Sequence, residues 1–377
     1  MTRIALIAGE PSGDALGGDL MKALRSRYPD AAFEGVGGRA MLAEGLTSHY
    51  PMETLSVMGL SEVVRHLPQL WRVRRCLVRR FRDDPPDVFI GIDSPDFNLG
   101  IARALRAAGI PTIHYVSPTV WAWRQGRVRG VARAVDHMLT LFPFEASFYE
   151  AHGVPVTFVG HPAADRFPMD TDPTRYRAEL GLEAGHRILT VLPGSRRGEV
   201  DRLGRQFMAA AAELQRRQPG LLVIVPLAHP GLRAAVEAAV AAAGLHARVI
   251  DGASEAAMGA ADVVLTKSGT ATLEAMLLKR PMVVGYQVSA VTAWLVRRLR
   301  LIGISHFAMP NLLVGREVVP EFIQEAVEPT ALADAMERWL MDMSAAGELH
   351  ALFTAQHERL RRGASERAAD AISGFLK

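Results

Sequence analysis

Two segments of the sequence could each bind an anion, because each places glycine and hydroxyl residues directly after an apolar run. The first is Pro193-Gly194-Ser195-Arg196 and the second is Ser268-Gly269-Thr270. Glycine lets backbone N–H groups approach a ligand closely, and a helix that begins at such a turn adds partial positive charge. Arg196 adds a guanidinium that can bind phosphate oxygens in a bidentate manner. Each turn alone is also typical of an ordinary strand-to-helix connection with capping or solvated side chains.

Glu274 follows the second turn at a distance of one helical turn, where its carboxylate could accept hydrogen bonds from a vicinal diol such as ribose. Two anion-binding turns in one domain, one of them followed by this carboxylate, favour a nucleotide diphosphate as ligand. The Gly-Lys-Ser/Thr ending of a P-loop is missing. The predicted contacts with the nucleotide are Ser195, Arg196, Ser268, Gly269, Thr270 and Glu274.

Asp93 is the candidate general base, since it ends an apolar run where a parallel strand would reach the ligand-binding edge of its sheet. The alternative role for Asp93 is to cap the next helix, but Asp96 has the better spacing for a cap. The Gly9–Asp14 loop lacks the Gly-x-Gly-x-x-Gly spacing, which disfavours a dinucleotide-binding domain.

The segment from Ser61 to Arg82 contains seven arginines and one acidic residue, Glu62. One interpretation is an interfacial helix that lies on anionic lipid, where each arginine near the surface contributes about 1 kcal/mol to the free energy of membrane binding. The other is a crossover helix that packs on a sheet, and both can hold if the helix uses separate faces. The predicted membrane contacts are Val63, Val64, Leu67, Leu70, Trp71, Arg72 and Arg75.

Composition narrows the class of protein further. The 377 residues include one cysteine, Cys76, and carry a net charge of +3 with 49% hydrophobic residues. These values exclude a disordered chain, a disulfide framework and a site built on paired cysteines. The histidines lack metal-ligand spacing, so no metal site and no cofactor are predicted, and neither half is basic enough for a nucleic-acid partner. The absence of a spanning segment and of a signal peptide favours a cytoplasmic protein, soluble or peripherally attached to a membrane.

Short apolar runs alternate with helical patterns along the chain, which predicts α/β architecture with two doubly wound Rossmann-like domains facing a cleft. The polar segment from Phe167 to Pro173 is interpreted as a hinge, and the pattern after Pro329 is purely helical. The predicted domains are 1–167, 168–329 and a helical tail, 330–377. Strands are predicted at 3–8, 31–35, 87–92, 110–115, 137–141, 156–159, 187–192, 221–227, 247–250, 262–266 and 281–285.

Eight motif segments are spread over nearly the whole chain, at 8–14, 91–98, 114–118, 121–124, 192–196, 268–270, 281–286 and 309–313. Together they resemble the lipid-A-disaccharide synthase family, bacterial glycosyltransferases of GT-B architecture. The His-Tyr-Val-Ser-Pro and Trp-Ala-Trp-Arg segments are highly specific to that family, whereas the Gly-Ser-Arg and Ser-Gly-Thr turns are shared more widely. The chain departs from the family pattern at Pro11, where relatives often carry threonine.

The resemblance implies an inverting hexosyltransferase that joins UDP-2,3-diacylglucosamine to 2,3-diacylglucosamine 1-phosphate. The product would be the β-1,6-linked lipid A disaccharide 1-phosphate, with release of UDP. Asp93 matches the family's candidate base and Arg196 its phosphate-side arginine, while Glu10, Ser12 and Asn311 lie in matching segments as predicted substrate contacts. The resemblance also implies peripheral attachment to the inner membrane and homodimers that exchange C-terminal regions, so that the tail crosses back to the N-terminal domain or swaps.

Two functions from other classes remain compatible with the spacing of the motifs alone. A nucleotide-sugar epimerase has the same two-domain layout and a similar UDP site, but would change the donor without an acceptor. A peripheral lipid-binding module with a degenerate nucleotide pocket would bind vesicles without releasing UDP.

Overall fold

The structure is a computed structural model that describes residues 2–55, 60–123, 125–183, 185–289, 294, 298 and 303–376, without the side chains of residues 60–66. The chain divides into two compact units. Unit 1 consists of Met1–Asp165 with Leu360–Lys377, and unit 2 of Arg166–Arg359.

Unit 1 is built on a parallel sheet of seven strands in the order β3-β2-β1-β4-β5-β6-β7. The order reverses between β1 and β4, which are direct neighbours, so the loops that follow these two strands diverge and leave a crevice. The strands are β1 Arg3–Ala8, β2 Ala32–Val36, β3 Thr47–Ser48, β4 Val88–Ile92, β5 Thr112–Tyr115, β6 His137–Thr140 and β7 Val156–Phe158.

Helices connect these strands as the crossovers that parallel pairing requires. In the segment up to the unit boundary they are α1 Pro11–Arg27, α2 Arg39–Ala43, α3 Leu60–Asp83, α4 Pro95–Arg106, α5 Val128–Ala132, α6 Pro143–Ala151 and α7 Pro162–Arg166. Short 3₁₀ turns occupy Met52–Thr54, Thr119–Trp121 and Gln125–Arg127.

Unit 2 repeats the scheme with a parallel sheet of six strands in the order β10-β9-β8-β11-β12-β13. The order reverses here between the neighbouring strands β8 and β11. The strands are β8 Ile188–Leu192, β9 Leu222–Leu227, β10 Ala247–Asp251, β11 Val263–Lys267, β12 Met282–Tyr286 and β13 Glu321–Ile323. The helices are α8 Pro173–Glu179, α9 Arg197–Arg217, α10 Arg233–Ala243, α11 Ser254–Ala260, α12 Thr270–Leu277, α13 Met309–Val314, α14 Pro329–Met341 and α15 Met343–Leu360.

Each unit has its own core, because apolar strands covered by helices bury both faces of the sheet. Phe81, Phe89 and Tyr149 are fully buried in unit 1, and Phe207 and Met336 in unit 2. The predicted doubly wound α/β fold is therefore confirmed in each unit.

Helix α3 uses two faces. Val73, Leu77 and Phe81 recur every four residues and are buried in the core of unit 1. Leu67 and Trp71 are 52% and 53% exposed on the same helix. No helix within the described residues is long and apolar enough to cross a membrane.

The last helix, α16 (Ala364–Ser373), belongs to unit 1 and packs on α1. Arg27 of α1 forms ion pairs with Glu366 and with Asp370 at 2.5 and 2.6 Å. The Asp165 carboxylate accepts hydrogen bonds from the backbone N–H groups of Gly363 and Ala364, which begin this helix. The segment predicted as one helical tail, 330–377, is thus divided between the units at residue 360.

Candidate functional site

The reversal of strand order in unit 2 creates a pocket of about 330 Å³ at the carboxyl ends of β8 and β11. Open α/β sheets bind ligands at such switch points. The turns after β8 and β11 form most of the wall, and Ser254 of α11 contributes the rest together with Pro226 and Ala228, at the end of β9 and directly after it. Of the residues predicted to contact a nucleotide, five line this pocket: Ser195, Arg196, Gly269, Thr270 and Glu274.

Ser268 is the exception among the predicted nucleotide contacts. Its hydroxyl donates a hydrogen bond of 2.7 Å to the carbonyl oxygen of Phe307. The side chain therefore ties the β11–α12 turn to the segment before α13, and it does not line the pocket.

The turn after β8 donates hydrogen bonds to a carboxylate of α9, the helix that follows it. The backbone N–H groups of Ser195 and Arg196 donate to Glu199 Oε2 at 2.9 and 3.2 Å. Gly194 permits this approach, because a Cβ at that position would lie 2.5 Å from the Cβ of Glu199. The anion-binding capacity of this turn consequently resides in side chains such as Arg196, which is exposed at the wall.

Lys267, a pocket residue that the sequence motifs did not single out, lies opposite Glu199. Its ammonium nitrogen is 2.9 Å from Glu199 Oε1. Burial opposes ionisation of Glu199, but the hydrogen bonds from Lys267 and from the backbone of Ser195 outweigh it, so the pKa of Glu199 is lowered. The pair places the Lys267 ammonium and the Glu199 carboxylate side by side in the wall.

The turn after β11 keeps its backbone donors available. Within the described part of the chain, the N–H groups of Gly269, Thr270 and Ala271 have no hydrogen-bond acceptor, and all three residues line the pocket. They form the N-terminus of α12, where the helix dipole favours negative charge. Glu274 lies one turn further along, and burial raises its pKa, opposed by the charge of Arg166. The wall thus combines N–H donors and the cations Arg196 and Lys267 with two carboxylates, Glu199 and Glu274.

The corresponding switch point of unit 1 brings together the loops that follow β1 and β4. Gly9 allows this contact, because a Cβ there would lie 2.6 Å from Ser94 Oγ. The side-chain amide of Asn98 donates to the carbonyl oxygens of Ile7, Ile92 and Asp93 at 3.2, 3.2 and 2.9 Å. One buried amide therefore fixes the ends of both strands.

Asp93 itself has an unusual backbone. Its φ is +51°, and that of Ser94 is +43°, so two consecutive residues with side chains adopt the left-handed conformation. This conformation is strained for most residues and is held only where the surroundings impose it, often at functional sites. The Asp93 side chain is partly exposed directly beyond the end of β4.

A second pocket, of about 390 Å³, adjoins this switch point in unit 1. One side is polar and includes Glu10, Ser94 and Asp96; the other is apolar and includes Leu67, Leu70 and Trp71 of α3, with Arg74 beside them. We call it the amphipathic pocket. Ser12 is exposed in the first turn of α1 but does not line the amphipathic pocket.

The remaining predicted residues occupy other places. Asn311 is fully buried, and its amide bonds the backbone of Val318 and Val319 and the Glu321 carboxylate. These contacts shape unit 2, and the substrate contact predicted for Asn311 stays a prediction. Arg72 and Arg75 are exposed on α3, whereas the side chains of Val63 and Val64 lie outside the described residues.

The aromatic segment after β5 is anchored by a buried carboxylate. Trp121 Nε1 donates to Glu145 Oε1 at 3.1 Å, and the backbone N–H groups of Leu141 and Phe142 donate to Oε2. Burial raises the pKa of Glu145 to about 8, even though these donors favour its ionised form. Burial also lowers the pKa of His114 to about 4, so this histidine is neutral. Arg124 lies outside the described residues.

Comparison with known proteins finds relatives whose sequences align with almost the entire chain. Residues 4–373 match the family described as lipid-A-disaccharide synthetase. A lipid-A-disaccharide synthase from Alkalilimnicola ehrlichii is 56% identical over 374 residues, which cover 98% of this chain and 97% of the relative. Another from Pseudomonas aeruginosa is 51% identical over 371 residues, with 98% and 97% covered.

Solved structures with low sequence identity share the fold. UDP-GlcNAc 2-epimerase from Neisseria meningitidis, bound to UDP-GlcNAc, has a TM-score of 0.66 at 12% identity, with 99% of this chain and 100% of that chain covered. MurG from Acinetobacter baumannii has a TM-score of 0.62 at 13% identity, with 99% of each chain covered. The predicted GT-B type of fold is thereby confirmed.

Proposed function

Because the chain belongs to the lipid-A-disaccharide synthetase family, we propose that it joins UDP-2,3-diacylglucosamine to 2,3-diacylglucosamine 1-phosphate. It is a hexosyltransferase of lipid A synthesis, and the proposal concerns its substrates, stereochemistry and residues. The product is the β-1,6-linked disaccharide 1-phosphate, and UDP is released. The observation that carries the assignment is the unit 2 pocket, where the N–H groups at the start of α12 and two cations lie beside the carboxylates of Glu199 and Glu274.

The donor's UDP group binds in the unit 2 pocket. The diphosphate accepts hydrogen bonds from the N–H groups at the start of α12 and pairs with Arg196 and Lys267. Glu274 accepts hydrogen bonds from the ribose hydroxyls. A structural relative that binds UDP, the S. aureus protein MnaA, has a TM-score of 0.63 and supports a nucleotide in this fold. The same groups stabilise the negative charge that develops on UDP as it leaves.

The acceptor binds to unit 1, where the Asp93 carboxylate takes the proton of its 6-hydroxyl. The hydroxyl oxygen forms a bond to the anomeric carbon of the donor while the bond from that carbon to the UDP oxygen breaks. A single displacement inverts the anomeric centre and needs no covalent glycosyl-enzyme intermediate. The strained backbone at Asp93 and Ser94, clamped by Asn98, supports a carboxylate held in one orientation.

Lys267 and Glu199 are expected to affect UDP binding in opposite directions. Lys267→Met removes a cation and leaves the Glu199 carboxylate unpaired beside the diphosphate, which weakens binding roughly tenfold. Glu199→Gln keeps an oxygen that can accept the two backbone N–H bonds but removes a negative charge, and therefore tightens binding. Isothermal titration calorimetry with UDP measures both effects, and weaker binding by both variants would contradict this arrangement.

We propose that the enzyme attaches peripherally to the cytoplasmic face of the inner membrane through the exposed side of α3. Replacing both Leu67 and Trp71 by serine is expected to reduce binding to anionic phospholipid vesicles at least tenfold, because each side chain buries apolar area worth about 1.5–3 kcal/mol. Flotation of the protein with vesicles measures this. Leu42→Ser, at a leucine that is 50% exposed on α2, is the matched control and should leave vesicle binding unchanged. Equal flotation of the double variant and the native protein would refute the α3 attachment.

A nucleotide-sugar epimerase is the second candidate, favoured only by the similarity of fold to the epimerase from Neisseria meningitidis. Incubation with donor alone, acceptor alone and both substrates separates the two functions. The transferase releases UDP only when both substrates are present, whereas an epimerase converts the donor without an acceptor. Vesicle binding with no turnover of either substrate would instead indicate a lipid-binding module.

A further inference from the structure

A groove rich in arginine lies next to the amphipathic pocket of unit 1. It has a volume of about 540 Å³ between α3 and α4, and Arg74, Arg75, Arg79 and Arg82 line it together with a single acidic residue, Asp83. We call it the arginine groove. Four cations around one cavity create a strongly positive local potential, which favours a ligand with more than one negative charge.

The four arginines differ in whether their guanidinium groups are available to bind a ligand. Arg79 pairs with Asp83 at 3.5 Å, and Arg82 donates to the carbonyl oxygen of Ala104 at 3.0 Å. Within the described residues, neither Arg74 nor Arg75 has a carboxylate partner. The Arg75 guanidinium stacks on Trp71, 4.5 Å from the ring centroid, which leaves its N–H edge open to a ligand.

Arg74 is held in place by the helix opposite. A Cβ at Gly100 of α4 would lie 2.8 Å from Arg74 Nη1, so the guanidinium rests directly against that glycine. Arg74 is half-buried, unlike its exposed neighbours Arg72 and Arg75. A positioned and uncompensated guanidinium of this kind is suited to bidentate binding of phosphate oxygens.

Arg74 and Trp71 line both the arginine groove and the amphipathic pocket. The two cavities therefore meet at these side chains. A ligand in the amphipathic pocket can lie beside Ser94, next to Asp93, and still present an anionic group to Arg74. The apolar side of the same pocket suits acyl chains.

We propose that Arg74, assisted by Arg75, binds the phosphate monoester of the lipid acceptor. The inference rests on the proposed function, which supplies an acceptor with a phosphate at C1 and a reacting hydroxyl at C6 of one sugar. Arg74 thus selects a phosphorylated acceptor and orients the ring so that the hydroxyl faces Asp93.

The test compares diacylglucosamine 1-phosphate with the same diacylglucosamine lacking the phosphate, in detergent micelles. Equilibrium binding and steady-state kinetics are measured for the native protein and for Arg74→Gln. The native protein is expected to prefer the phosphorylated acceptor, and Arg74→Gln to reduce that preference roughly 10- to 100-fold through Kd and KM. The KM for the donor and the binding of the unphosphorylated acceptor should not change.

Arg103→Gln is the matched control, since Arg103 is an exposed arginine of α4 that lines neither cavity. Flotation with phosphatidylglycerol vesicles tests whether the arginine groove instead binds bulk lipid head groups. The proposal is overturned if Arg74→Gln weakens binding of both acceptors equally, if Arg103→Gln changes the preference as much, or if Arg74→Gln loses only vesicle binding. If no disaccharide forms with any variant, the proposed function fails, and the binding measurements still decide the role of Arg74.

Discussion

Asp93→Asn is expected to lower kcat by about 10²- to 10⁴-fold, the range for removal of a positioned general base. Asparagine is isosteric and tolerates a positive φ, so it can keep the left-handed backbone at this position. The amide cannot take the proton of the acceptor hydroxyl, whereas UDP binding in unit 2 should be unchanged. Steady-state kinetics with both substrates and calorimetry with UDP measure the two quantities.

Asp96→Asn is the control for this variant. Asp96 is the next carboxylate along the chain, is exposed, and pairs with Arg127 at 2.7 Å. We expect its substitution to change kcat far less than Asp93→Asn does. Near-native turnover by Asp93→Asn, in a variant with an unchanged melting temperature, would remove Asp93 as the base.

Arg196→Gln is expected to lower kcat/KM by about 10²- to 10³-fold, the usual cost of removing one donor that stabilises developing charge. The guanidinium contributes both to donor binding and to stabilisation of the departing UDP, so kcat should fall and the Kd for UDP should rise. Calorimetry and initial rates measure these changes separately.

Arg197→Gln provides the comparison for Arg196. Arg197 is adjacent, exposed and paired with Asp201 at 2.8 Å, and it does not line the pocket. Its loss should leave both kcat and UDP affinity close to native. If Arg196→Gln behaves in the same way as Arg197→Gln, the phosphate side of the pocket is wrongly assigned.

The alternation of apolar runs was sufficient to predict the two parallel sheets. All the predicted strands occur, and most of them are short, mainly apolar runs that are buried on both faces of the sheet. The missed strands are Thr47–Ser48 and Glu321–Ile323, which lie at the sheet edges and have only two and three residues. Thr47–Ser48 is polar and Glu321–Ile323 begins with a charged residue, so neither is recognisable as an apolar run.

Most of the predicted nucleotide contacts lie at one switch point, and the alternating pattern already places their two turns after strands of one domain. The sequence does not show which N–H and hydroxyl groups of these turns already form hydrogen bonds within the protein. Glu199 takes the N–H groups of Ser195 and Arg196, although an acid three residues after a helix start is a recognisable capping signal. Ser268 and Asn311 make contacts with Phe307 and Glu321, which only the fold brings near.

The sequence predicts only in outline that one face of α3 packs in the core of unit 1 and another face is exposed. Seven arginines and a spaced set of apolar residues indicate a helix with a basic and an apolar side. The position of Arg74 against Gly100 depends on the packing of α3 on α4, a contact between residues 26 positions apart in sequence. The return of α16 to α1 likewise depends on distant ion pairs such as that between Arg27 and Asp370.

Mass spectrometry and linkage analysis of the product formed from the two diacylated substrates test the central claim most directly. We expect one product, with the mass of a tetraacyl glucosamine disaccharide 1-phosphate and a β-1,6 linkage, formed together with an equal amount of UDP. A changed donor without disaccharide, an α linkage, or the absence of UDP release in the presence of both substrates would contradict the proposed reaction.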